Sequence, residues 1–370
     1  MGMWSRFIEQ PRQAPARQWL FLVHQYLGLL LGVYFVAVSL SGSALVFRPE
    51  VELATVLRSH PPASAATGAG PLQSAWTNLR QQYPGQAISA FAMNQYPGRR
   101  AGDPYRVRVQ SPARTSFVYV DTSTGQILGS QHPLIVWLQD LHFSLFSGRT
   151  GLIVNGAGAV LFAVMCLTGA VIWWPGKRNW RRGFGVRWSA RWPSVNYDVH
   201  SLLGITSMAL LAGVAAAGVY VAAQMLDEPD VQQIKWQASV NALPVDLDEV
   251  VRRAEKVVPD GIRVGLNLPA GPDDRFRFEK LLGDTRVRVF LAQHSGEVVH
   301  VDRIRDRSWV TWFSQVTSDL HYGRLLGTAS RAVWVLLGAM PLMLLCTGVV
   351  MWWNRTGSKW YRRRRGSDEG

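Results

Sequence analysis

Read with a window long enough to cross a hydrocarbon core of about 30 Å, the chain shows four apolar stretches: Trp19 to Phe47, Leu152 to Trp174, Leu202 to Leu226 and Ala332 to Trp353. Each is long enough to span a bilayer as a helix. Between the first two the period changes. Leu72 to Tyr83 carries apolar positions at helical spacing and is stopped by Pro84-Gly85. Tyr105-Arg106-Val107-Arg108-Val109 and Phe117-Val118-Tyr119-Val120 then alternate as strands do, before a turn at Asp121-Thr122-Ser123-Thr124-Gly125 and a last run Gln126-Ile127-Leu128. The stretch between the third and fourth spans repeats this plan, with a helix over Leu247 to Val258, a stop at Pro259-Asp260-Gly261, strands around Arg275 to Glu279, Arg286 to Leu291 and Glu297 to Val301, and a turn at His294-Ser295-Gly296. His60 to Pro71, rich in Pro, Ala and Gly, reads as a linker.

These elements predict an α-helical membrane protein with four transmembrane helices in two parallel repeats, plus two small α+β modules outside the membrane. The expected segments are residues 1–48 (N-terminus and first span), 49–149 (first module), 150–226 (second and third spans with a basic loop at 176–193), 227–328 (second module) and 329–370 (fourth span and basic tail). Arg6, Arg12 and Arg17 precede the first span as in a signal peptide, but the apolar run is far longer than a signal peptide's, so it reads as an uncleaved anchor.

Charge orients the spans. Lys177, Arg178, Arg181, Arg182, Arg187 and Arg191 follow the second span, and Arg355, Lys359 and Arg362 to Arg365 follow the fourth; such short basic flanks belong in the cytoplasm. Both termini are therefore expected inside and both modules outside, in the periplasm if the membrane is a bacterial inner membrane. The formal charge of +14 is concentrated at span ends, which favours lipid head groups as partner and argues against nucleic acid. Sixteen Trp agree with a membrane interface, and the Trp-Trp pairs ending two spans read as interfacial belts. Both cysteines, Cys166 and Cys346, fall inside spans, so no disulfide framework is expected.

The spans also repeat. Leu141-His142 precedes Thr168-Gly169-Ala170-Val171-Ile172-Trp173-Trp174 as Leu320-His321 precedes Thr347-Gly348-Val349-Val350-Met351-Trp352-Trp353, with His to Thr 26 residues and His to the first Trp 31 residues in both. His24, Gly28 and Gly42 are spaced as His200, Gly204 and Gly218, by 4 and 18 residues. Two such units in one orientation would pack about an axis along the membrane normal, setting span one opposite span three and span two opposite span four.

The Val-Tyr-Val-Asp strand and Thr-Gly turn at 118–128 resemble the ending of a PepSY domain, and the Leu-His and Thr-Gly…Trp-Trp motifs resemble the PepSY-associated transmembrane family. The likeness covers roughly residues 17–356. That family includes iron-regulated inner-membrane ferric-siderophore reductases of the FoxB-like kind, so the resemblance implies a haem-carrying oxidoreductase acting on siderophore iron in the periplasm.

The histidines support the same chemistry independently. Of eight, His24 with His200 and His142 with His321 occupy matched positions, the first pair on the basic-loop side and the second just before the spans that start from the other side. Two levels of two imidazoles suit two bis-His b-type haems, and the absence of Cys-x-x-Cys-His excludes c-type attachment. Gly28, Gly32, Gly204, Gly148, Gly151, Gly323 and Gly327 are expected to let a flat macrocycle approach the backbone, and Arg149, Arg324 and Arg331 to meet its propionates. His132, His294 and His300 read as module surface. Met165, Met208, Met340 and Met343 read as packing, and Pro341 as a tolerated kink.

Electrons would pass from a quinol or a cytoplasmic reductase to a ferric siderophore, whose hard oxygen ligands hold Fe(II) less well than Fe(III). No residue is assigned as catalytic. No Gly-x-Gly-x-x-Gly after a strand suggests an internal nicotinamide or flavin site. Two other classes compete. A siderophore permease would need polar residues in its spans, and a regulatory or binding protein of PepSY type would leave the matched histidines without a purpose.

Overall fold

A computed structural model of the chain describes residues 16–59, 71–93, 103–111, 114–227, 243, 245–269, 271, 274–283, 285–305 and 309–357. The linker reading at His60 to Pro71, the residues before 16 and the basic tail beyond 357 fall almost wholly outside them. Four helices are long and apolar enough to cross a membrane: α1 (Ala16–Leu45), α5 (Gly148–Trp173), α6 (Trp192–Asp227) and α9 (Gly327–Trp352). At about 1.5 Å per residue, the 26 residues of α5 or α9 rise about 39 Å, enough to clear the hydrocarbon with every backbone group bonded inside the helix. Pro341 lies inside α9 without ending it.

The chain divides into two units, one of residues 1–47, 137–227 and 314–370, the other of residues 48–136 and 228–313. The first is the helical unit. In it α1 packs along α5 and α9, and α6 packs along the same two, so α1 and α6 lie diagonally. Small residues permit the close approaches: a Cβ at Gly32 would meet Leu345 Cδ1 at 2.5 Å, Gly338 faces Ser43 and Gly158 faces Tyr34. Cys166, Leu211 and Leu337 form the buried middle, with Phe162, Met208 and Met340 against them. Both cysteines are free thiols.

The sequence places Leu141-His142 and Leu320-His321 at the heads of spans. The structure instead puts them in the last turns of separate short helices, α4 (Pro133–Ser144) and α8 (Trp309–His321). The break after α4 is left-handed at Leu145 (φ 49°), Phe146 (φ 60°) and Gly148 (φ 55°); the break after α8 uses Gly323 and Gly327, both at φ 69°. The residue facing each break differs in chemistry but closes it in the same place. Ser330 Oγ donates to Gly323 O at 2.7 Å, whereas at the matched Gly151 the missing side chain lets Ser144 O come close. The matched spacing of the histidines thus reflects two helix–break–helix corners.

The second unit holds α2 (Arg48–Ser59), α3 (Leu72–Gln82), β1 (Ala87–Ala92), β2 (Tyr105–Ser111), β3 (Arg114–Val120), β4 (Ile127–Ser130), α7 (Leu247–Val257), β5 (Ile262–Asn267), β6 (Arg275–Leu282), β7 (Thr285–Ala292) and β8 (Val298–Arg305). The strands form one eight-stranded antiparallel sheet in the order β4-β3-β2-β1-β5-β6-β7-β8. Its two halves join where β1 pairs β5, Ala90 with Asn267, Phe91 with Leu266 and Ala92 with Gly265, so each half covers what would be an open edge of the other. Leu72, Trp76, Leu79, Val250, Val251 and Ala254 of the two helices bury against Phe91, Val107, Val118, Leu266, Phe276, Phe278 and Val289. Asp248 Oδ1 accepts from Leu72 N at 2.7 Å and Gln73 Oε1 accepts from Leu247 N at 3.0 Å, so each helix start is capped by the other helix. Lys280 is buried on the core side and donates to Val258 O (2.8 Å) and Pro259 O (2.9 Å), the carbonyls at the end of α7. Glu52 of α2 is buried, taking hydrogen bonds from Tyr119 Oη and from Gln131 Nε2 (2.6 Å).

Candidate functional site

The helical unit brings the four matched histidines together as two pairs. His24 of α1 and His200 of α6 stand with ring centroids 6.5 Å apart and ring planes at 88°. His142 of α4 and His321 of α8 stand 6.1 Å apart at 35°. Gly42 on α1 and Gly218 on α6, 18 residues beyond His24 and His200, face His142 and His321, so the pairs sit about 27 Å apart along the bundle.

Matched residues hold matched rings. His24 Nδ1 lies 3.1 Å from Met165 O and 3.3 Å from Thr168 Oγ1; His200 Nδ1 lies 2.8 Å from Thr347 Oγ1. Across the bundle His142 Nδ1 lies 2.9 Å from Val38 O, and His321 Nδ1 lies 3.3 Å from Val214 O. A carbonyl accepts only from an N–H, so Nδ1 carries the proton where it faces Met165, Val38 and Val214, and Nε2 is left as the unprotonated nitrogen of a neutral ring. Neutrality agrees with burial at the second pair: burial and then the neighbouring His321 press His142 down to about 4, and burial lowers His321 too. Tying one ring nitrogen so that the other ligates is the usual support for a metal-bound histidine.

The pair geometry fits an iron between the rings. Two metal–nitrogen bonds of about 2 Å, with each ring centre about 1 Å behind its nitrogen, set ring centres about 6 Å apart. Among the described residues no cluster of three or more His, Cys, Asp or Glu side chains is placed to hold a metal ion. Two imidazoles per site are too few for a bare ion and match the axial demand of a haem, whose ring supplies the other four ligands. The residues present therefore fit b-type haem at both levels.

The glycines that touch the histidine rings are a separate set from those expected to admit a macrocycle. A Cβ at Gly42 would lie 2.6 Å from His142 Cε1, at Gly169 3.0 Å from His24 Cε1, at Gly218 3.3 Å from His321 Cε1 and at Gly348 3.5 Å from His200 Cε1. Gly28 and Gly204 instead face Met165 Sδ and Leu344 Cδ2 at 3.9 and 3.8 Å, Gly32 faces Leu345, and Gly148, Gly151, Gly323 and Gly327 shape the two corners. The Thr-Gly motif is now explained locally: its Thr hydroxyl donates to a carbonyl of its own helix, Met165 O at 2.9 Å or Met343 O at 2.8 Å, and is left to accept from the Nδ1–H of a histidine on a neighbouring helix, while its Gly lies against that ring.

The three arginines make different contacts. Arg149 is exposed at the start of α5; Arg324 stacks over Tyr322 at 4.7 Å; Arg331 donates to Val46 O at 2.5 Å and lies over Phe47 at 4.3 Å. His132, His294 and His300 lie exposed in the second unit. Trp173 does more than line an interface, because its indole donates to Gly183 O at 3.1 Å and packs on Phe184, pinning the basic loop. Arg187 clamps that loop to Asp198 by two bonds of 2.8 and 2.9 Å.

A family model for the PepSY-associated TM region matches residues 21–355, nearly the whole chain. The chain belongs to this family. It is a membrane protein on the same grounds, with four apolar helices of spanning length. A comparison with curated proteins found no match. Within the family's matched region lie all four histidines, both Thr-Gly pairs and the residues that anchor each Nδ1.

Proposed function

We propose that this PepSY-associated membrane protein is a bacterial inner-membrane reductase that holds two b-type haems and passes electrons across the membrane to ferric siderophore, releasing Fe(II). The observation that carries the reading is the pair of opposed imidazole couples, 6.5 and 6.1 Å between centroids, at two depths of one bundle. When bound, haem supplies the one-electron chemistry.

The chain's own contribution is placement. His24 with His200, and His142 with His321, would each supply one imidazole nitrogen to a haem, while Thr168, Thr347 and the carbonyls of Met165, Val38 and Val214 hold the rings at Nδ1. The apolar middle around Phe162, Cys166, Leu211 and Leu337 excludes water between the two levels. The basic loop and tail support a cytoplasmic position for the His24–His200 end and both termini, and with it a periplasmic position for the PepSY-like modules. An electron from a quinol or a cytoplasmic reductase enters, one Fe(III) outside becomes Fe(II), and the hard oxygen ligands of the siderophore then hold the metal less tightly.

Purified protein should show a Soret band with two low-spin haems per chain. Chemically reduced protein should be reoxidised by a ferric trihydroxamate, with Fe(II) appearing on a ferrous-specific chelator. His24→Ala or His200→Ala should remove or convert to high spin about half of the haem signal, and His142→Ala or His321→Ala the other half. A colourless protein, or reoxidation by oxygen alone with no response to any ferric chelate, overturns the proposal.

A further inference from the structure

The two corners that carry His142 and His321 differ at one matched position. Asn155 follows His142 by 13 residues, as Trp334 follows His321. Asn155 is fully engaged: its Nδ2 donates to His142 O at 2.5 Å, and its Oδ1 accepts from Tyr34 Oη at 2.7 Å. Trp334, two turns into α9, packs over the other corner, where a Cβ at Gly323 would meet its Cγ at 2.7 Å and its Cδ1 at 3.0 Å. Its indole Nε1 is buried and has no hydrogen-bond partner among the described residues. An N–H held away from water without an acceptor costs about 1–3 kcal/mol. A Phe would fill the same space without that cost. The corner is already closed by Ser330, which donates to Gly323 O and accepts from Leu326 N, so the indole is not needed to finish it.

We infer that Trp334 is a cofactor-binding residue, donating its indole N–H to a carboxylate of the group held by His142 and His321. The inference rests on the haem reading above. A haem b carries two propionates, and a carboxylate near the apolar start of a span needs nearby donors. Arg331, one turn before Trp334 on the same helix face, is committed to the carbonyl of Val46. The indole is a donor whose acceptor must come from outside the described chain.

The test is Trp334→Phe in the full-length, haem-loaded protein, read by redox potentiometry and by the propionate-bending bands of the resonance Raman spectrum. Loss of the hydrogen bond leaves the carboxylate more negative and favours ferric iron. One of the two midpoint potentials should therefore fall while the other stays, and the shifted component should be the one lost in His321→Ala. Trp334→His, which restores a ring N–H, should return that midpoint toward the wild-type value. Full haem content with both midpoints and the bending bands unchanged in Trp334→Phe overturns this assignment alone, whereas wild-type protein without a Soret band overturns the haem reading itself. If the Phe variant cannot be recovered folded, Trp334→Met, which also lacks an N–H, takes its place with the same two outcomes: one midpoint lowered supports the donor role, and both midpoints unchanged with two haems bound overturns it.

Discussion

The four glycines that face the histidines form a graded series. Placing a methyl group at each puts it 2.6 Å from the ring at Gly42, 3.0 Å at Gly169, 3.3 Å at Gly218 and 3.5 Å at Gly348. Carbon atoms pack best at about 3.5–4.0 Å, so Gly348→Ala needs no movement, while Gly42→Ala must push the His142 ring by about 1 Å. That displacement stretches the 2.9 Å bond to Val38 O beyond hydrogen-bonding range and turns Nε2 away from its axis toward His321. Forced overpacking costs about 1–3 kcal/mol, and replacing a helix-interior glycine by alanine returns about 0.5–1 kcal/mol. The net effect on the liganded state should therefore be a loss of about 1–2 kcal/mol for Gly42→Ala, about zero for Gly218→Ala and a slight gain for Gly348→Ala, with Gly169→Ala between the first two. Haem per chain and the low-spin fraction, measured on detergent-purified variants, should fall in the order Gly348, Gly218, Gly169, Gly42. Full low-spin haem in Gly42→Ala, or greater loss in Gly348→Ala than in Gly42→Ala, would refute the claim that Gly42 and Gly169 are needed to admit the rings they face.

Thr347→Val removes the 2.8 Å contact to His200 Nδ1 and should speed haem transfer to an apo-globin scavenger about tenfold; Thr168→Val should do less, because the contact it removes from His24 Nδ1 is longer, 3.3 Å. Asp121, at the β3–β4 turn, gathers hydrogen bonds from Ser123 and Thr124; burial works to raise its carboxyl, but these bonds outweigh it and hold the group below its ordinary value. A carboxylate depressed in the folded state stabilises above its unfolded pKa and loses that contribution as pH falls through the folded value, so wild-type thermal stability should drop below about pH 4. Asp121→Asn should melt earlier at neutral pH by about 1–2 kcal/mol and lack that acid-side drop; an unchanged pH profile would remove Asp121 from the account. Reporter fusions after residue 130 and residue 185 should report periplasm and cytoplasm respectively. A cytoplasmic result at residue 130 would reverse the orientation and with it the direction of electron flow.

What the sequence made legible follows from the range of each physical signal. Spanning helices announce themselves because the bilayer demands about 20 apolar residues in a row, and α1, α5, α6 and α9 each supply them. The histidines were legible through equal spacing in two halves. Strands β2, β3, β6 and β7 showed in their alternation, Tyr105-Arg106-Val107-Arg108-Val109 being the clearest. By contrast β1 reads Ala87-Ile88-Ser89-Ala90-Phe91-Ala92 and β5 reads Ile262-Arg263-Val264-Gly265-Leu266-Asn267. Both lie mid-sheet, and their non-core faces carry small or neutral residues such as Ala90, Ala92, Gly265 and Asn267, so the contrast that marks a strand is weak. Their pairing, which turns two modules into one sheet, joins residues more than 170 positions apart and leaves no local trace. Helix α2 hid for a related reason: Arg48 to Ser59 is interrupted by charges, and Glu52 is buried only because Tyr119 and Gln131 satisfy it.

The same limit explains the glycines. Periodicity reports which residues share a face of one helix, and on that basis Gly28, Gly32 and Gly204 lie near His24 and His200. The contacts that matter cross between helices. His24 rests on Gly169 of α5, His200 on Gly348 of α9, His142 on Gly42 of α1 and His321 on Gly218 of α6. Each half of the chain thus supplies both a histidine and the glycine that seats one at each level, and every ring sits on a helix from its own half: α1 with α4 and α5, α6 with α8 and α9. The histidines pair between halves while each ring is seated within its half, so on the proposed haem reading a substitution at a seat should disturb one axial ligand and leave its opposite number in place. Such a site would go five-coordinate and high-spin before it goes empty. Loss of haem without a high-spin intermediate in Gly42→Ala would therefore count against the division of labour between halves, even if the site assignment itself survived.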